Sequence, residues 1–513
     1  MSKFKLPTPF GVLRHPVLSR VAGLLVLGCL LMLNAWALHH NAFKTFFLFD
    51  MNIPLDGSWR VFMGQKPLVD FLNNWGPVHF YAMAVFYWIF GFGKTALLAH
   101  VIAVSSVVIT VLFVSSRARL PLWMTALACT LTTVSFYWSC AFPWHSHTAH
   151  FWGILGTALL IWRLPFSGRK ETLVCAFACG FLALLAFITK TNVGLAYAAV
   201  FGAVFLAGSS RRLETLAAFA AGILASAIVW TPVFIHSWKA FLEQNVLGYG
   251  LHSRGRILRL ITIPILWFSN GAWIFVLTGV ANGVGRFKHS RALVVLLLGL
   301  WFTDTFTTFT SGAEYRVDVQ LLGFIAAAAF LLAWRNRPET GCAESFRRRW
   351  FRRVSIMVIA ANALCLIPLH AKYAKELKWW SEPYLKSVEY EDYNPVGSYA
   401  LKSHPFEGWL CDPYKGKEID EVVDFVKKTV PVNESLLILT DLQVVNALTG
   451  RQGYPGVTLF WIDGEWPTKG LLREQVRQNI LSNPPDWILT HQKRVPFGYF
   501  IAHYLKLREI FLA

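Results

Sequence analysis

The sequence predicts an α-helical polytopic membrane protein carrying a C-terminal extracytoplasmic α/β domain, and three observations support this. Hydrophobic residues make up 55% of the 513 residues and charged residues 15%, against roughly 45–50% and 25% in soluble domains. The apolar residues gather into about eleven runs near the length that a bilayer core demands. The basic residues, which give a formal net charge of +19, fall at alternate ends of those runs, as the positive-inside rule produces. That distribution argues against nucleic acid as a partner, because an electrostatic footprint needs a basic face on a soluble element. The eight cysteines sit mostly inside apolar runs, with no Cys-x-x-Cys and no Cys/His zinc spacing, so neither a disulfide framework nor a zinc centre is indicated.

Lys3, Lys5, Arg14 and Arg20 precede the first run, Val21 to Leu38. This leader and the triplet Ala35-Trp36-Ala37 have the form of a signal peptide. The length of the run and the spans behind it favour an uncleaved first span with a cytoplasmic N-terminus. Residues 39–94 then form an outer loop. Within it Trp59, Phe62 and Met63 recur at helical spacing behind Asp56 and ahead of Gly64, which predicts a short amphipathic helix lying in the interface. Val78 to Phe90 reads as a second interfacial helix.

Thr95 to Ser115 runs inward to Arg117 and Arg119. Leu122 to Phe142 goes outward, His150 to Trp162 inward, Thr172 to Ile188 outward and Val193 to Ala207 inward to Arg211 and Arg212. Leu216 to Ile235 goes outward, Ile261 to Val280 inward, Leu293 to Phe309 outward and Leu321 to Trp334 inward. After the basic loop Arg335 to Arg353, Val354 to His370 returns outward and closes a transmembrane domain of residues 1–370. The loop His236 to Leu260 departs from the charge rule, because it is assigned outside and holds Lys239, Arg254, Arg256 and Arg259. Residues 371–513 are mixed polar and read as the extracytoplasmic domain. Its helices are expected at Ile419 to Val430 and Leu471 to Leu481, and its strands at Ser435 to Thr440 and Trp487 to Thr490. One glycosylation sequon, Asn433-Glu434-Ser435, is what chance supplies in a chain of this length.

The chemistry-bearing stretch is Phe49 to Tyr81, where Asp50, Asp56 and Asp70 stand with Arg60 and Lys66 between apolar segments. Taken alone, Asp56 reads equally as a base or as a helix cap, and Asp70 as a cap for the turn before Asn73 and Asn74. Lys190 follows an outward span, where an ammonium binds a lipid phosphate or snorkels. Arg254, Arg256 and Arg259 suit phosphate oxygens or anionic headgroups. Pro143 to His150 places His145, His147 and His150 in one outer loop. A third metal ligand has no spacing to identify it, so no metal site is assigned. Glu314, Arg316 and Asp318 read as a structural pairing.

A resemblance then enters. The pattern D-G-x-x-R-V-x-x-G-Q-x-P-x-x-D-F-x-x-x-x-G-P, Asp56 to Pro77, followed by an aromatic helix ending FGFGK, resembles membrane glycosyltransferases of the GT-C superfamily, in particular the protein O-mannosyltransferase and lipid A aminoarabinose transferase group. Gly180 to Gly194, GFLALLAFITKTNVG, is similar to that group's G-L-A-x-L-T-K-x-x-x-G signature. Leu448 to Arg451, LTGR, resembles part of the distal domain of bacterial members. The likeness covers the first two hundred residues or so in sequence, and the remainder by topology. It implies an inverting transferase in a bacterial inner membrane, moving a sugar from a polyprenyl-phosphate donor to an envelope acceptor (glycan, lipid or protein) on the outer face. Asp56 is then the base, and Lys190, Arg254, Arg256 and Arg259 with Arg60, His145, His147 and Asp70 line the donor-phosphate or acceptor site. Relatives carry Asp-Glu where this chain has Asp56-Gly57, so no cofactor is assigned and a divalent cation stays an open alternative. The rival from another class is a transporter or flippase of lipid-linked saccharides, which is expected to carry paired halves and midplane charges. A catalytically inactive scaffold is the third reading.

Overall fold

The computed structural model describes residues 16–43, 48–73, 75–137, 142–235, 237–247, 287–310, 321–335, 399–411, 413–439, 442–458 and 471–489. The architecture is that of an α-helical polytopic membrane protein. Five of its helices are long and apolar enough to cross a membrane. They belong to α1 (Pro16–Asn41), α4 (Lys94–Arg117), α7 (Arg169–Thr189), α8 (Thr191–Gly208) and α9 (Arg212–Phe234). Arg117, Arg169 and Arg212 stand at helix ends, the positions that basic residues flanking membrane spans take. With α5 (Leu122–Ser135), α6 (His145–Arg163), α11 (Phe287–Thr310) and α12 (Leu322–Arg335) they enclose one continuous apolar core, in which Ile109, Leu112, Ile154, Phe201, Leu297 and Phe324 are fully buried. The expected spans Ile261 to Val280 and Val354 to His370 lie outside the described residues.

Two boundaries differ from expectation. Helix α5 stops at Ser135 rather than Phe142; at 14 residues it is ~21 Å long. Phe136 and Tyr137 leave the helical run and set their rings against His147. The stretch His145 to His150, expected as loop, is instead the first turns of α6, which starts directly after Trp144 in extended conformation. Pro143 is the reason: it disfavours helix in the residue before it, so the helix begins beyond it.

The outer layer is built from α2 (Leu48–Phe62), α3 (Pro77–Phe90) and the C-terminal segment. Proline at the first position of α3 presets the helical φ where no backbone donor is needed. Asp56 does not cap a helix. Helix α2 begins two turns earlier, because Met51, Ile53 and Leu55 are buried and extend the apolar pattern upstream.

In the C-terminal segment α13 (Pro413–Thr429) and α15 (Leu471–Ser482) flank a parallel pair, β4 (Leu436–Ile438) and β6 (Trp487–Leu489). A short helix, α14 (Val444–Leu448), faces α2. The hairpin-like pair β2 (Tyr399–Ala400) and β3 (Leu410–Cys411) is antiparallel. This segment shares a core with the outer layer: Met51, Leu55, Met83 and Tyr87 pack in one cluster with Phe406, Trp409, Ile419 and Val445. A third strand pair joins the two covalently distant parts, β1 (Phe71–Leu72) lying parallel to β5 (Val457–Thr458).

Candidate active site

Asn52, Asp56, Trp59 and Arg60 recur at i, i+4, i+7 and i+8, so α2 turns them to one face. That face meets residues 443–454. Asn52 donates to Gln443 Oε1 and accepts from the Val444 N–H. Asp56 Oδ2 accepts from Arg60 Nε at 2.7 Å, and Asp56 Oδ1 from Asn446 Nδ2 at 3.4 Å. Trp59 Nε1 donates to the Arg451 carbonyl at 2.7 Å, Arg60 Nη1 to the Tyr454 carbonyl at 2.8 Å and Gln65 Nε2 to the Gly453 carbonyl at 2.7 Å. Arg451 holds its own loop by donating to the Pro431 and Val430 carbonyls.

Asp56 and Arg60 are both buried. Burial pushes the Asp56 carboxyl above its ordinary value, while the charge and hydrogen bond of Arg60, and then the Asn446 amide, pull it back. Arg60 also lies over the Phe71 ring, 5.7 Å from its centroid.

The second cluster forms where three segments meet. Lys190 occupies the extended break between α7 and α8. The break is tight: a Cβ on Gly194 would lie 2.0 Å from the Phe187 nitrogen. This gives the K-x-x-x-G spacing a physical reason, since glycine lets α8 start against the last turn of α7. Lys190 Nζ donates to Ser146 Oγ at 2.6 Å, at the head of α6. The end of the outer-loop pattern docks on the same break, Gly76 N–H donating to the Thr189 carbonyl at 3.1 Å. A Cβ on Gly76 would stand 1.8 Å from the Ile188 carbonyl oxygen, so this approach requires glycine. Thr191 Oγ1 donates to the Asn245 carbonyl at 2.8 Å, and Asn245 Nδ2 reaches the Asn73 carbonyl at 3.4 Å.

Imidazoles crowd around this junction. The His145 ring stacks on Trp75 at 3.9 Å, and His79 lies 6.5 Å from His145. His79 Nδ1 is 2.9 Å from Thr148 Oγ1. His147 stacks on Tyr137 at 4.3 Å. His150 sits between Tyr197 OH at 3.0 Å and Thr307 Oγ1 at 3.3 Å. His79 Nε2, His145 Nδ1 and His147 Nδ1 are buried with no hydrogen-bond partner among the described residues.

Of the residues expected at the site, the structure places Asp56 and Arg60 in one ion pair, and Lys190, His145 and His147 around the α7–α8 break. Asp70 is elsewhere in its role: its Oδ2 accepts from the Lys66 N–H at 2.6 Å and closes the turn behind it, while Asn73 closes the next turn with its own side chain by accepting from the Trp75 N–H at 2.7 Å. Arg254, Arg256 and Arg259, the Glu314 to Asp318 loop and the Asp50 side chain lie outside the described residues. Trp75, His79, Asn245, Asn446 and Tyr454 were not foreseen. The residues do not fit a divalent cation at Asp56, since the Arg60 guanidinium already holds the cation position on Oδ2. Among the described residues no group of three His, Cys, Asp or Glu is arranged to hold a metal ion.

No family model matches the chain, and no curated protein matches it. Among solved structures it is similar to the oligosaccharyltransferase AglB from Archaeoglobus fulgidus in complex with an inhibitory peptide and a dolichol-phosphate, with 12% identity and a TM-score of 0.42 over 85% of this chain. It spans 64% of that protein's chain. It is also similar to ArnT from Cupriavidus metallidurans bound to undecaprenyl phosphate, with 13% identity, a TM-score of 0.45, and 93% of this chain and 89% of that chain covered.

Proposed function

We propose that this chain is a membrane glycosyltransferase that moves a sugar from a polyprenyl-phosphate-linked donor to an envelope acceptor on the outer face of a bacterial plasma membrane, with Asp56 as general base. The observation that carries this reading is the meeting of the two segments of the resemblance. Asp56 to Pro77 and Gly180 to Gly194 are far apart in sequence, yet Gly76 bonds directly to Thr189, next to Lys190.

In the reaction a lone pair of the acceptor oxygen attacks the anomeric carbon. The carbon–oxygen bond to phosphate breaks with its electrons going to the phosphate, and the acceptor proton passes to Asp56. Lys190 supplies positive charge for the departing phosphate, with Arg254, Arg256 and Arg259 as further cations for the lipid-linked donor. His145 and His147 are the proposed contacts for the sugar or acceptor. Asp56 Oδ2 stays on Arg60, and the acceptor hydroxyl takes the place of the long Asn446 contact on Oδ1.

The test compares membranes carrying the wild-type chain, Asp56→Asn, and Asp56→Asn combined with Arg60→Gln. Radiolabelled lipid-linked sugars extracted from host membranes serve as donors and cell-envelope fractions as acceptors. Wild type is expected to label a product and both variants none, while all three elute as folded protein by size exclusion. Near-normal turnover in Asp56→Asn removes Asp56 from the base role. Movement of the lipid-linked donor across vesicles without any product replaces the transferase with a flippase.

A further inference from the structure

A carboxylate taken out of water is expected to lose its charge unless fixed partners oppose that loss. Asp56 has two such partners. Arg60 is the nearer, and it is not free to swing away, because its other arm donates to the Tyr454 carbonyl at 2.8 Å. Asn446 approaches the second oxygen at 3.4 Å. Both restraints come from residues 446–454, nearly four hundred positions along the chain. The same segment is clamped onto α2 from either side, by Trp59 on the Arg451 carbonyl and Gln65 on the Gly453 carbonyl. Of the remaining groups whose charge couples to Asp56, Tyr87 on α3 is a buried phenol, which burial and then Asp56 itself keep protonated. The balance at the carboxylate is therefore set by Arg60 on its own helix, Tyr87 on α3 and Asn446 on α14.

We infer that residues 446–454 are a positioning arm of the catalytic site, holding Arg60 and Asn446 on the Asp56 carboxylate so that the base is oriented and charged before the acceptor arrives. The inference rests on the reading of Asp56 as the base. It makes the C-terminal segment part of the reaction machinery. Burial alone works against a charged Asp56, and Arg60 followed by Asn446 is what opposes it.

The experiment uses the full chain in detergent and two readouts. Infrared difference spectroscopy follows the protonated-carboxyl band that Asp56→Asn deletes, with no substrate present. Transfer of the extracted lipid-linked sugars gives kcat/KM against pH, which reports ionisation in the free enzyme. In Asn446→Leu and Arg60→Gln the band is expected to persist to higher pH than in wild type. On the acid side kcat/KM is expected to fall roughly tenfold, with much of the loss recovered in alkali. Arg60→Lys is expected to restore the acid side better than Arg60→Gln. A band that titrates alike in wild type and both variants overturns the arm, as does an equal loss of kcat/KM at every pH. If the band moves but Asp56→Asn still transfers sugar, the arm stands and the base assignment falls.

Discussion

Replacing Arg60 by alanine isolates the energetics of the site. The variant leaves the Asp56 carboxyl buried with Asn446 at 3.4 Å as its remaining hydrogen-bond partner among the described residues. Removing one partner of a buried ion pair typically costs about 3–5 kcal/mol, because the other charge is stranded. The carboxyl limits that cost by taking up a proton, and each pH unit between its folded pKa and the solution contributes about 1.36 kcal/mol. The sign follows. Without Arg60, burial raises the folded pKa further above the ordinary value of 3.8, so the contribution of Asp56 to stability is intact below that value and is lost as pH rises through the folded pKa. Arg60→Ala is therefore expected to melt close to wild type near pH 4 and progressively below it towards pH 8. The added loss of the Tyr454 bond, about 1 kcal/mol, is the same at every pH. The assay is the unfolding midpoint in detergent across that range, for wild type, Arg60→Ala and the uncharged pair Asp56→Asn with Arg60→Gln. The uncharged pair lacks this titration, so against wild type, whose Asp56 carboxyl is itself raised, it is expected to gain as pH rises rather than to lose as Arg60→Ala does. A gap between Arg60→Ala and wild type of equal size at pH 4 and pH 8 refutes the reasoning.

Two further outcomes follow from the same contacts. Gly76→Ala drives a methyl group to within 1.8 Å of the Ile188 carbonyl oxygen; overpacking against backbone costs about 1–3 kcal/mol, and the displaced loop carries Trp75 off His145. Loss of transfer with a lowered midpoint is expected, and wild-type values for both would show that the loop does not dock there. In the C-terminal segment Asp486 accepts from the N–H and hydroxyl of Ser435 at 2.7 and 2.8 Å, which hold its carboxyl below 3.8. Its stabilisation is present above that value and is lost as pH falls through the folded pKa. Asp486→Ala is therefore expected to lower the midpoint at pH 7, with a gap that narrows in strong acid.

Much of the helical frame was legible because hydrophobic runs bounded by arginines have one physical solution in a bilayer. The predicted run Val193 to Ala207 lies within α8 and Thr172 to Ile188 within α7, each boundary set by where charge reaches the interface. The site was legible only in its local parts. Lys190 stood out because it follows an outward span, where an ammonium binds a lipid phosphate or snorkels. Asn446 and Tyr454 gave no such signal: an amide in a short helix and a backbone carbonyl carry no pattern, and their meaning comes from tertiary contact with α2. The histidine stretch was misread as loop because His-Ser-His-Thr has no apolar periodicity, although Thr148, Ala149 and His150 are buried against neighbouring helices. The cap reading of Asp56, one of two that the sequence supports equally, rests on the serine, tryptophan and arginine that follow it as in a first turn. The upstream Met51, Ile53 and Leu55 outweighed that cue by burying the earlier turns.

The arrangement of the two clusters bears on the chemistry. From Asp56 a chain of contacts runs through Arg60 to the Phe71 ring, from Phe71 to Phe80 at 5.7 Å, and within the same apolar cluster to Trp75, which stacks on His145 beside Ser146 and Lys190. Ring contacts and one apolar cluster thus connect the two groups of residues. On the proposed reading, a direct displacement places the base on the face of the anomeric carbon opposite the departing phosphate, and reacting groups held in line avoid much of the entropic barrier. The charged partner of Asp56 is Arg60, on the same helix. Lys190 Nζ donates to the Ser146 hydroxyl, and on the proposed reading a phosphate oxygen also accepts from that ammonium.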